Sequence, residues 1–95
     1  MTVLTETQLI DSFAKKAAKF GAHAADHLKT HLMLSIDTVA AKLTGKARED
    51  IAAAFVWDAK LATDRTSNVN PFNFTTISRA INATKKTLLA SQLAL

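Results

Sequence analysis

The chain has 95 residues, no cysteine, two glycines and one proline, with 48% hydrophobic residues and a formal net charge of +4. This length supports one hydrophobic core, so residues 1–95 are predicted to form a single domain. The lack of cysteine excludes disulfides, thiolate zinc sites and cysteine nucleophiles. Since turn-forming residues are scarce, we predict an all-α fold of about four helices, in a bundle or an irregular orthogonal packing.

The start of the chain lacks the features of a secretory signal. Glu6 and Asp11 lie where a signal peptide needs a basic segment followed by an apolar run. No apolar stretch approaches the roughly 20 residues that cross a bilayer. We therefore expect a cytoplasmic protein, in the host cytoplasm if it is phage encoded, with no membrane partner.

The first predicted helix begins with a capping box. Thr5 and Gln8 have the required S/T-x-x-E/Q spacing, and Leu4 and Leu9 occupy the positions of a hydrophobic staple. The apolar face that follows contains Leu9, Ile10, Phe13, Ala17 and Phe20. Gly21 predicts the end of this helix, with a bend in one longer helix as the alternative.

The second helix is predicted from about Ala22 to Leu43 and ends at Gly45. Its apolar face contains Leu28, Leu32, Ile36, Val39 and Leu43. His23, His27 and His31 recur at every fourth position, a spacing at which neutral imidazoles can share zinc. Because no carboxylate has a matching spacing and no H-E-x-x-H pattern is present, we predict no metal site. We interpret these histidines as solvent-facing or interface residues.

The third helix, roughly 46–63, carries apolar residues over a wide arc. Ile51, Phe55, Trp57 and Leu61 cover most of it, and Val56 points the other way. Such a helix is either central to the fold or the seam of an oligomer. We predict a core position for Trp57 and a homodimer or higher oligomer through Val56, Trp57 and Leu61. Asp58, among apolar neighbours, is predicted to pair with a lysine, an arginine or a helix N-terminus.

A polar segment, 64–71, predicts a loop before the fourth helix. That helix begins with Asn73 as the N-cap or one turn earlier with Pro71 at its first position. Its predicted core face contains Phe74, Ile77, Ile81, Thr84 and Leu88. Thr75, Arg79, Asn82 and Lys86 share the opposite face because they lie at positions i, i+4, i+7 and i+11.

The last third of the chain, residues 65–95, contains basic residues but no acidic ones. Asp64 is the final carboxylate, so the whole formal charge of +4 arises after it. Cations, an amide and a hydroxyl on one helix face suit the phosphate backbone of DNA or RNA. The predicted nucleic-acid-binding residues are Arg65, Thr75, Arg79, Asn82, Lys85 and Lys86. Single strands are slightly favoured over duplexes, because the loop is too long for a helix-turn-helix.

We do not expect an enzyme. The sequence has no glycine-rich phosphate loop, no G-x-S-x-G and no paired carboxylates beside a histidine. No motif implies a cofactor. The alternative to nucleic-acid binding is a protein-interaction module, an inhibitor or adaptor of the kind that phages and mobile elements encode, docking one helix face on a target protein.

Overall fold

The computed structural model describes residues 5–65 and 73–93, which form four α-helices and contain no strand. The helices are α1 (Glu6–Ala17), α2 (Ala22–Lys42), α3 (Arg48–Arg65) and α4 (Asn73–Leu93). The predicted all-α fold is therefore confirmed. None of the described helices combines the length and apolar composition needed to cross a bilayer.

The capping box at the start of α1 is confirmed. The Thr5 hydroxyl accepts a hydrogen bond from the Gln8 backbone N–H at 3.2 Å, and Gln8 Oε1 accepts one from the Thr5 N–H at 2.9 Å. These two bonds satisfy amides that have no partner within the helix. The predicted staple residue Leu4 lies outside the described residues.

Gly21 separates the first two helices, as predicted. A 3₁₀ turn, Ala18–Phe20, follows α1, and Gly21 then adopts φ 105°, a conformation that disfavours any residue with a Cβ atom. Its N–H donates to the Ala18 carbonyl at 3.0 Å, and its own carbonyl accepts from the Ala25 N–H at 3.0 Å. One longer, bent helix is thereby ruled out.

The core lies around α2 and α3, which occupy the centre of the bundle. Each of these helices also packs against both α1 and α4, which occupy opposite corners. The largest fully buried side chains come from all four helices: Phe13, Leu28, Leu32, Ile36, Val39, Ile51, Phe55, Ile77 and Ile81. The predicted apolar faces of α1, α2 and α4 are confirmed among the described side chains.

Polar contacts at both ends fix the direction of α1 against α3. Arg48, the first residue of α3, binds Glu6 at 2.7 Å, and it also binds Asp37 of α2. Lys16, near the end of α1, binds Asp64, near the end of α3, at 2.5 Å. Since the first turns of the two helices are in contact and their last turns are in contact, α1 and α3 run parallel.

Helix α3 is central to the fold, but not in the orientation that its sequence predicted. Val56 is only 2% exposed and belongs to the core, whereas Trp57 is 69% exposed, so the predicted core position of Trp57 is wrong. Alanines such as Ala52 and Ala59 occupy the buried side and let the neighbouring helices approach closely. Val56 is therefore not available for an oligomer contact.

The fourth helix begins at Asn73, and α3 extends through Arg65. Asp64 and Arg65 are thus helical rather than part of the predicted loop. The rest of that loop, the capping role of Pro71 and the side chain of Phe74 lie outside what the structure describes. Ile77, Ile81 and Thr84 are buried as predicted.

The conformation at Gly21 predicts a contrast between the two glycines. Gly21→Ala should destabilise the fold by about 1–3 kcal/mol, because a Cβ atom at this φ is strained. Gly45→Ala should change the free energy of unfolding by less than about 1 kcal/mol, since Gly45 has no positive φ and no atom within 4 Å of an added Cβ. Urea denaturation of both variants measures the difference, and equal effects would contradict this role for Gly21.

Candidate nucleic-acid interface

The polar face predicted for α4 points to solvent. Thr75, Arg79, Asn82 and Lys86 are all exposed, and Lys85 is half-buried beside them. The buried positions 77, 81 and 84 lie on the other side of the helix, which fixes its orientation. We call the exposed set of Thr75, Arg79, Asn82 and Lys86 the basic face.

The structure does not bring every predicted site residue onto this one helix. Arg65 is exposed, but it is the last residue of α3, and residues 66–72 separate it from α4. Lys85 lies on the flank of α4 rather than at the centre of the basic face. Arg79, Asn82 and Lys86 thus form the continuous part of the candidate site.

Three basic residues of the first three helices form ion pairs with carboxylates of neighbouring helices. The ion pairs are Lys16–Asp64 at 2.5 Å, Lys29–Asp11 at 3.4 Å, Arg48–Glu6 at 2.7 Å and Arg48–Asp37. Within residues 5–65 and 73–93, no ion pair includes Arg79, Lys85 or Lys86. The positive charge of α4 is therefore left uncompensated at the surface.

Asp64, the last carboxylate in the sequence before α4, is directed toward α1. A hydrogen bond from Lys16 lowers the pKa of Asp64, and the charges of Lys19 and Lys60 lower it further. Lys19 also donates to the Thr63 carbonyl at 2.7 Å. Because Asp64 binds Lys16 of α1, it forms no ion pair with the basic face among the described residues.

A depression beside the basic face combines charge with apolar surface. Asn82, Lys85, Lys86, Leu89 and Ala90 line it. Ammonium groups suit a phosphate, while the methyl groups suit a sugar or the face of a base. Leu89 and Ala90 were not among the predicted site residues, although they lie about one turn beyond Lys85 and Lys86.

Asp58 has a different partner from the one predicted. The Thr84 hydroxyl donates to Asp58 Oδ2 at 2.9 Å, and no ion pair among the described residues includes Asp58. The predicted pairing with a cation or a helix N-terminus is wrong for this part of the chain. Since Asp58 is exposed to water, its charge does not require a counter-ion.

The three histidines do not converge. His23 and His27 are exposed, and His31 is half-buried with a buried Nε2 atom that has no hydrogen-bond partner among the described residues. No group of three or more histidine, aspartate or glutamate side chains in residues 5–65 and 73–93 could hold a metal ion.

Comparison with known proteins gives no further identification. No protein-family model, no curated protein and no solved structure matches this chain significantly.

The Lys16–Asp64 contact predicts a residue-specific change in titration. Lys16→Met should raise the pKa of Asp64 toward its ordinary value, because the hydrogen bond that favours the carboxylate is lost. Lys15→Met is the matched control, since Lys15 is exposed and has no such contact. An NMR pH titration of the Asp64 carboxyl carbon measures both, and an unchanged pKa in Lys16→Met would exclude the contact in solution.

The same contact fixes the sign of its effect on stability. A lowered pKa in the folded state means that the contact stabilises the fold above the ordinary pKa of an aspartate. This stabilisation disappears as the pH falls through the lowered pKa of folded Asp64. Lys16→Met should therefore lower the free energy of unfolding near neutrality and reduce its dependence on pH in that acidic range.

Proposed function

We propose that this protein is a small, non-enzymatic nucleic-acid-binding protein that holds the phosphate backbone through the basic face of α4. One observation carries this proposal. Three cations of the first three helices form ion pairs with neighbouring helices, whereas Arg79, Lys85 and Lys86 of α4, a helix without any acidic residue, form none among the described residues. Such uncompensated charge attracts polyanions.

The length of the face suits several consecutive phosphates. Arg79 and Lys86 are seven residues apart on α4, which corresponds to about 10 Å along the helix axis. Phosphates of one strand of B-form DNA are spaced about 3.4 Å along its axis, and those of an unstacked single strand lie farther apart, so this distance spans at most about three nucleotides. Asn82 lies between the two cations and can donate a hydrogen bond to a phosphate oxygen.

Single-stranded nucleic acid is the proposed ligand in preference to duplex. A helix-turn-helix joins its two helices by a turn of about 3–4 residues, whereas residues 66–72 separate α3 from α4. The depression beside the basic face adds apolar side chains, Leu89 and Ala90, next to Lys85 and Lys86. Unstacked bases of a single strand can contact such a surface, and paired bases cannot.

Little sequence specificity is expected from these residues. Lysine and arginine contacts to phosphates position a nucleic acid without reading its bases. The basic face contains only one amide, Asn82, that could hydrogen-bond to a base edge. Binding should therefore depend on charge and strand number more than on sequence.

The double variant Arg79→Ala/Lys86→Ala tests this proposal. Affinity for single-stranded oligonucleotides should fall by a similar factor for every sequence, because phosphate contacts are lost. The slope of the logarithm of the binding constant against the logarithm of salt concentration should become shallower by about 1.4, at about 0.7 per lost contact. Binding titrations at several salt concentrations measure both quantities.

A charge-matched control separates the basic face from net charge. Lys15→Ala/Lys46→Ala also reduces the net charge from +4 to +2, because it too removes two cations, and both lysines are exposed and lie outside α4. This control should keep most of the wild-type affinity. Equal losses in the two double variants would mean that net charge alone attracts the oligonucleotide, and an unaffected Arg79→Ala/Lys86→Ala would exclude the basic face as the binding surface.

The alternative function, a protein-interaction module, also has one observation in its favour. Trp57 is 69% exposed on α3, outside the basic face of α4, and tryptophan is enriched among the residues that dominate protein interfaces. An exposed tryptophan by itself does not identify its partner.

A further inference from the structure

Trp57 is an exposed aromatic side chain on an otherwise well-packed helix. It is the only tryptophan in the chain, and its exposure of 69% exceeds that of the other exposed large hydrophobic residues, Leu34 at 61% and Met33 at 44%. Burying an indole removes a large apolar area from water. A surface that covers Trp57 would therefore gain considerable free energy.

A groove next to Trp57 is lined mainly by small side chains. It runs between α3 and α4, and its lining residues are Ala54, Asp58, Ala80, Ala83, Thr84, Thr87 and Leu88. We call it the α3–α4 groove. Methyl groups and hydroxyls line most of it, so it can receive a large side chain from outside. Trp57 itself does not fill it, since its ring is directed to solvent.

The groove also contains a hydrogen-bond acceptor that matches an indole. Asp58 Oδ2 accepts one hydrogen bond, from the Thr84 hydroxyl at 2.9 Å. A carboxylate has about four acceptor positions, whereas the indole N–H is a donor only. Asp58 can therefore accept a second hydrogen bond, from a tryptophan placed in the groove, and bonds to a charged acceptor are among the stronger ones.

The indole and the groove lie side by side on the same surface of one chain. Trp57 is three residues from Ala54, which lines the groove, and residues three apart are neighbours on a helix surface. In a two-fold dimer, the same patch of both subunits meets itself, so each protruding side chain faces the other subunit's groove. One surface of the chain thus carries both the protruding Trp57 side chain and the groove that would receive it, as a two-fold dimer requires.

We propose that this protein forms a two-fold homodimer in which Trp57 of each subunit enters the α3–α4 groove of its partner and donates a hydrogen bond to Asp58. A second copy is favoured over an unrelated protein because one chain supplies both the aromatic side chain and the groove with its acceptor. Val56 takes no part, since it is buried within its own subunit. The dimer proposal is independent of nucleic-acid binding.

Two single variants test the two halves of the contact. Trp57→Ala removes the indole, and Ala83→Leu fills the groove while leaving Trp57 in place. Each should raise the dimer dissociation constant by at least about 30-fold, as loss of a dominant interface side chain does. Leu34→Ala is the matched control, because it removes another exposed apolar side chain, on α2, and should leave the dissociation constant unchanged. Sedimentation equilibrium measures all four proteins, and circular dichroism confirms that each is helical.

Mixing the two variants tests the reciprocal geometry. Trp57→Ala keeps an open groove and Ala83→Leu keeps the indole, so a mixed pair retains one of the two contacts. The mixture should form heterodimers more tightly than either variant forms homodimers. A general loss of folding in Ala83→Leu would not produce this recovery, so the result distinguishes a blocked groove from a damaged subunit.

The fluorescence of Trp57 provides a second readout in the wild-type protein. As it is the only tryptophan, its emission should shift to shorter wavelength as the concentration rises through the dimer dissociation constant. A wild-type protein that stays monomeric at all concentrations would overturn the proposal and leave an unrelated protein as the partner of this surface. A dimer that persists unchanged in Trp57→Ala, or a mixture without recovery, would overturn it equally.

Discussion

The position of α2 and α3 between the two outer helices is the constraint on which this fold depends. Each of these helices contacts the other and both outer helices, so their apolar residues must serve more than one neighbour. Phe55 of α3 and Leu32 of α2 are fully buried in this arrangement. Helix α4 has only α2 and α3 as its main neighbours, so one broad side of it remains in solvent. The basic face lies on that side.

Sequence reasoning was most accurate where structure is determined locally. The capping box of Thr5 and Gln8 and the chain break at Gly21 depend on residues within a few positions of each other, and both are confirmed. The orientation of α3 could not be predicted in the same way. Alanines and large apolar residues occur on every side of this helix, so its sequence does not distinguish the side of Val56 from the side of Trp57. The contacts of α3 with α1, α2 and α4 determine which side is buried.

The candidate site was predictable in part for the same reason. The spacing of Thr75, Arg79, Asn82 and Lys86 placed them on one face, and the burial of Ile77 and Ile81 orients that face to solvent. The pairing of the other cations was not predictable, because Lys16 and Asp64 lie 48 positions apart in the sequence. Only the fold reveals that Lys16, Lys29 and Arg48 have carboxylate partners on other helices, while the cations of α4 form no ion pair among the described residues.

Fluorescence anisotropy of the wild-type protein with labelled single-stranded and duplex oligonucleotides, at low and at high salt, tests the central claim most directly. An uncompensated basic face predicts binding of about micromolar affinity or tighter at low salt, a steep loss at high salt and a preference for the single strand. Absence of binding to either oligonucleotide at low salt would contradict nucleic-acid binding by α4.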